Sequence, residues 1–307
     1  MIATKLMLMG AAVASLAFAA AAEPLAPTDA TLPVQWEISP DDEADSVQLS
    51  LRYRRDRSES HNSQSFPLGQ LEGLDRAQLS SSNQGPVHFR MTREAGILDC
   101  EGSAADGRGR GDCLFRANAG FADSLERRGL GRPSLDNQYM LALQDVGTPL
   151  VEELERQGYD GTDVDDLVAL GIHGADLDYL RALGSLGYRA DDADGLVAMR
   201  IHGVTPDFIR QMGELGYRNF DADELVAMRI HGVDPELVRT LASLGYSRLS
   251  AEEITAMAIH GVTPQFIREM AEVGYRNLTA DQLVQLRIHG VTAEDARQAN
   301  AALAQSE

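Results

Sequence analysis

The chain is predicted to be α+β: a small antiparallel β-sheet or sandwich followed by an α-solenoid of 29-residue helix pairs. Three observations carry this expectation. Ile-His-Gly recurs at Ile172, Ile201, Ile230, Ile259 and Ile288, each 29 residues after the last. Gly-Tyr keeps the same period at Gly158, Gly187, Gly216, Gly245 and Gly274, so each unit has two punctuation marks and two elements. Upstream, apolar residues alternate in period two: Val34, Trp36, Ile38; Val47, Leu49, Leu51, Tyr53; Val87, Phe89, Met91.

In chain order, Lys5, the apolar run Leu6 to Ala21 and the small residues Ala20-Ala21-Ala22 form the pattern of a secretory signal peptide over 1–22. Cleavage is expected after Ala22, then a Pro-containing linker over 23–31, in a protein destined for the periplasm or the medium. A β-rich domain is expected over 32–120, with Ser58 to Ser65 and Ser80 to Pro86 as turn-rich loops. Cys100 and Cys113 are symmetric about Asp106-Gly107, a dipeptide favoured in two-residue hairpin turns. That register places the cysteines face to face and predicts a disulfide worth on the order of 3 kcal/mol in the oxidising exterior. Metal binding by the two thiols is the weaker alternative.

A helical connector is expected over 121–147, with helical patterning from Phe121 to Arg128 and from Leu135 to Val146. The solenoid follows over 148–307, as about five repeats and a C-terminal cap. Thr205-Pro206, Asp234-Pro235 and Thr263-Pro264 pair an N-cap side chain with Pro at the first helical position. The second helix of each unit opens at Asp163, Asp192, Asp221, Ser250 or Thr279, and Ile-His-Gly closes it. Leu225, Met228 and Ile230 are expected to supply apolar contacts, and the tyrosines after Gly to pack between repeats. Helices of about ten residues do not persist alone in water, so the repeats must stabilise one another.

Net charge is −20, and loss of Lys5 with the leader makes it more negative. Such a chain repels phosphate backbones and anionic lipid heads, so nucleic acid is not an expected partner. Outside the leader no stretch approaches the roughly 20 apolar residues needed to span a bilayer, so no membrane insertion is expected after cleavage. The periodic His173, His202, His231, His260 and His289 invite a metal reading. Helices pack about 8–10 Å apart, too far for equivalent rings to share an ion. The expected role of these histidines is structural, at helix C-termini. No metal and no cofactor is expected.

Arg181, Arg210, Arg239 and Arg268 also recur every 29 residues, as do Arg200, Arg229 and Arg287 just before Ile-His-Gly. They are the candidate partner-binding residues, with pairing to acids such as Glu214, Asp223 and Glu236 as the competing role. No nucleophile elbow, phosphate loop, dinucleotide fingerprint or paired zinc motif fits its context. Gly107-Arg108-Gly109-Arg110-Gly111 lies in the hairpin, without the strand-to-helix turn that cradles phosphate.

The stretch from Val87-His88-Phe89-Arg90 through Arg93-Glu94-Ala95-Gly96 and Gly107 to Phe121, followed by Ile-His-Gly-Val-Thr-Pro repeats, resembles the extracytoplasmic region attached to some BlaR1-like membrane metallopeptidases of bacteria. The resemblance covers nearly the whole mature chain and implies a sensor-like or partner-binding module. The His-Glu-x-x-His motif and multi-helix membrane domain of such receptors are missing, so no protease activity carries over. The expected function is an exported, non-enzymatic binding or scaffold module recognising a protein or peptide, in envelope sensing or signalling. The alternatives are a carbohydrate- or cell-wall-binding protein, with Trp36 and Tyr53 as stacking residues, and an enzyme of unrecognised type.

Overall fold

The computed structural model describes residues 31–55 and 58–304; the expected leader and residues 23–30 of the linker lie outside them. Strands β1 (Thr31–Pro40), β2 (Ser46–Arg55), β3 (Ser58–Pro67), β4 (Gly85–Arg93), β5 (Gly96–Ala105) and β6 (Arg108–Ala117) form one antiparallel sheet in the order β3-β2-β1-β6-β5-β4. It is a single sheet, not a two-sheet sandwich. The short helix α1 (Arg76–Ser80) crosses from β3 to β4.

One expectation is corrected here. The serine-rich stretch Ser58 to Ser65, expected as a loop, belongs to β3 and pairs with β2 from Arg55↔Ser58 to Ser46↔Pro67. A full-length neighbour strand overrides the weak β-preference of these residues, and a polar sequence suits an unpaired sheet edge.

The inward rows explain the glycines of the hairpin. Leu51, Trp36, Gly111, Gly102 and Val87 stand side by side across β2, β1, β6, β5 and β4. The Trp36 ring lies over the two glycines, its Nε1 donating to the Glu101 carbonyl at 3.0 Å and its edge meeting Phe89 at 5.1 Å between centroids. A Cβ on Gly111 would stand 2.0 Å from the Glu101 oxygen, and one on Gly102 2.5 Å from Trp36 Cζ2. These glycines seat an indole. Cys100 and Cys113 are opposite each other in the register counted from Ala105↔Arg108 and are joined as a disulfide.

Fourteen α-helices occur among the described residues. After α1 come α2 (Ala119–Arg127), α3 (Leu135–Leu143), α4 (Thr148–Gln157), α5 (Val164–His173), α6 (Leu177–Ser185) and α7 (Ala193–Ile201). Then follow α8 (Pro206–Glu214), α9 (Ala222–Ile230), α10 (Pro235–Ser243), α11 (Ala251–Ile259), α12 (Pro264–Glu272), α13 (Ala280–Ile288) and α14 (Ala293–Ala304). From α4 onward, even-numbered helices stack on even and odd on odd, giving two layers. No described helix is long and apolar enough to cross a membrane.

The 29-residue frame also extends backward. Asn118 and Ser134 cap α2 and α3, 29 residues before Gly147 and Asp163 at the starts of α4 and α5. The connector helices are therefore a degenerate repeat lying under the sheet. Leu130 stands where later units have Tyr, and Asp145 takes the corner glycine's place with a φ of 54°. Its α3 docks on the sheet through Tyr139, which meets Phe115 and Tyr53 edge-on, while the Tyr53 hydroxyl donates to Asp136 at 2.9 Å.

The turn Glu94-Ala95 between β4 and β5 clips this joint. The Glu94 carboxylate accepts from the Thr148 amide at 2.9 Å and its hydroxyl at 2.5 Å, capping a helix whose own N-cap is Gly147. The Glu94 carbonyl accepts from Asn118 Nδ2 at 2.8 Å. One turn of the sheet thus holds the starts of both α2 and α4.

Candidate functional site

The candidate site is the edge of the solenoid where each odd-numbered helix turns into the next even-numbered one. In α7, Asp192 caps the N-terminus and Ala193, Leu196 and Met199 are buried at three-residue spacing. Ile201 comes two residues after Met199, about 200° around a helix of 3.6 residues per turn, so it faces away from the core. The repeat copies this placement. Ile172, Ile201, Ile230, Ile259 and Ile288 are 49%, 54%, 54%, 51% and 49% exposed, the only large aliphatic residues of that exposure among those described apart from Leu186.

The expectation that Ile230 supplies core contacts is therefore corrected: Leu225 and Met228 are buried, and Ile230 is not. In the degenerate repeat the equivalent residue is Leu143. It is buried, and its carbonyl accepts from Gln64 Nε2 of β3 at 3.2 Å. The sheet covers the first position of the row and leaves the next five open.

His173, His202, His231, His260 and His289 stand beside these isoleucines and are exposed. His202, His231, His260 and His289 occupy the C-cap position, and His173 ends α5 ahead of Gly174. The backbone makes the cap, as in His202 N–H to Ala198 O at 3.1 Å, and the ring points outward. An isoleucine-histidine row thus runs along the edge. Among the described residues, no group of three His, Cys, Asp or Glu is placed to hold a metal ion.

The arginines divide into two kinds. Arg200, Arg229 and Arg287 are built into the frame: their guanidinium groups lie 4.8, 5.2 and 5.1 Å from the ring centroids of Tyr179, Phe208 and Phe266. Arg229 Nε also donates to the Gly203 carbonyl at 3.2 Å, and Arg287 Nε to that of His260 at 3.4 Å. Aromatic and arginine change together 21 residues apart: where Leu150 and Leu237 replace the ring, Gly171 and Ala258 replace the arginine. That signal was present in the sequence.

Arg181, Arg210, Arg239 and Arg268 are exposed on the even-numbered helices, and Arg297 on α14 continues the row. Arg210 is paired with Asp207 and Glu214 on its own helix, Arg297 with Glu294, and Arg181 lies 4.0 Å from Glu153. Arg239 and Arg268 have no ion-pair partner among the described residues. Glu153 is buried on α4; hydrogen bonding from Arg156 outweighs burial and holds its carboxyl below the usual range.

The sheet offers a second concavity. On its outward face a cavity of about 610 Å³ is bordered by Gln35, Glu37, Arg52, His61, Arg110 and Asp112. Trp36 also borders it but is 1% exposed, and Tyr53 is half-buried against Tyr139, so neither offers a ring face to a sugar. Compared with known proteins, the chain matches no family model and no curated protein.

Proposed function

We propose that the chain is an exported, non-enzymatic binding module that recognises a protein or peptide through the edge of its solenoid, in envelope sensing or signalling. The carrying observation is the row of five half-exposed isoleucines in a chain otherwise strongly acidic. Scattered apolar side chains are ordinary on a surface, but an identical one presented by five successive repeats forms a regular row suited to burial against another molecule. The disulfide fits an oxidising compartment, and the resemblance to extracytoplasmic receptor regions points the same way.

The experiment is crosslinking and affinity capture from envelope extract, using the full mature chain and the triple variant Ile201→Ser, Ile230→Ser, Ile259→Ser. A specific protein retained by the mature chain and weakened at least tenfold by the variant is the expected result. Equal retention by both proteins, or retention of cell-wall material alone, overturns the proposal.

A further inference from the structure

The arginine-aromatic pairs mark a slot in each repeat. It lies beside the corner of the preceding unit, over the third residue of the even-numbered helix, and is filled by a guanidinium from the last turn of the odd-numbered helix. Three units show it filled, by Arg200, Arg229 and Arg287. In the first full unit the same frame positions hold Asp145 at the corner, Leu150 below and Gly171 where the arginine would start. A cavity of about 550 Å³ opens there, with Val146, Pro149, Leu150 and Leu177 as its apolar walls.

Position 171 cannot supply the missing group. A Cβ on Gly171 would stand 2.7 Å from Val146 Cγ2 and 2.8 Å from Gln144 Cβ. The mouth is also acidic. Arg93 offsets Asp145 at 3.0 Å, but Glu94, Asp176 and Asp178 also border the cavity. Glu94 and Asp176 also accept hydrogen bonds from helix N-termini. Asp178 is exposed, with no ion-pair partner among the described residues.

We propose that this vacant slot receives an arginine side chain from the protein partner. The inference rests on the binding-module reading and names one anchor within it. A planar guanidinium with five donors already lies over the ring in each sister slot, and in two of them its Nε donates to a corner carbonyl. Here the apolar walls replace the aromatic ring, and carboxylates add the attraction it would have given.

The test uses the full mature chain, labelled with ¹⁵N, and two small probes at equal concentration: N-acetyl-arginine methylamide and its neutral citrulline analogue. The arginine probe is expected to shift the amides of Gly147, Gly171 and Gly174 saturably, at least fivefold more strongly than the citrulline probe. The variant Asp178→Asn leaves the Glu94 cap of α4 in place, and its affinity for the arginine probe is expected to fall at least twofold. Shifts that are absent, equal for both probes, or equally large at Gly232 and Ala258 in the fourth unit overturn the assignment. Because capture by the isoleucine row is measured separately, failure of the slot alone leaves the binding-module reading standing.

Discussion

The sheet and the solenoid are stabilised in opposite ways. In the sheet, β1 lies between β2 and β6, partners far apart in sequence, and its core converges on one indole over two glycines. In the solenoid each helix packs on those one repeat away. Damage to the first should therefore be global, and damage to the second local and graded. The degenerate repeat belongs to both regions, because α3 packs on β5 and β6 as well as on α5.

The largest expected effect is Gly111→Val, which drives a side chain into the Glu101 carbonyl and the Trp36 ring. A loss of about 4 kcal/mol or more is expected, with the β-domain unfolding as a unit, read by Trp fluorescence in urea. Next is the paired change Cys100→Ala, Cys113→Ala. It is expected to cost about 3 kcal/mol in the same transition and leave the melting of the distal repeats nearly unchanged.

Arg229→Ala should act locally. Loss of the contact with Phe208 and the bond to Gly203 is expected to cost about 1 kcal/mol, seen as faster hydrogen exchange around α8 and α9 and not in the sheet. The reciprocal pair Leu237→Phe, Ala258→Arg is expected to stabilise α10 and α11 by a similar amount, with a double-mutant cycle reporting the coupling.

A smaller effect comes from Asp99. Its partial burial tends to raise its pKa, but hydrogen bonds from Arg90, His88 and Arg116 prevail and hold the carboxyl below its ordinary range. A carboxylate depressed in the folded state contributes stability above its unfolded pKa and loses it as pH falls through the folded value. The melting temperature should drop on acidification below the ordinary carboxylate pKa, and less steeply in Asp99→Asn. Smallest of all, Ile230→Ser should change stability by no more than about 0.5 kcal/mol by calorimetry, because the residue is already half in water.

Much of the fold was legible because its signals are local. Alternation at Val34, Trp36 and Ile38 marks β1, N-cap residues mark helix starts, and the hairpin symmetry pairs Cys100 with Cys113. What was missed depends on partners. β3 owes its strand form to β2, and the degenerate repeat keeps the period while changing the letters, with Leu143-Gln144-Asp145 where later units have Ile-His-Gly. Ile230 was expected beside Leu225 and Met228 among the apolar contacts; its angular position relative to Met228 gives the opposite answer. The 21-residue link between ring and arginine was readable by comparing the units with one another. The seating of Trp36 was not, since it depends on glycines in two other strands.

The stacking of like helices on like has a mechanical consequence. Each unit from α4 onward leans on the one before it, and the series is anchored at the sheet end by the Glu94 turn and α3. Tension applied at the far end would detach α14 and then peel repeats one by one, at low force and over a long extension. The cross-strand bonds and the disulfide of the sheet would resist until last. The molecule would lengthen like a spring fixed to a rigid mount, so a load that exposes fresh repeat faces need not disturb the domain that anchors them.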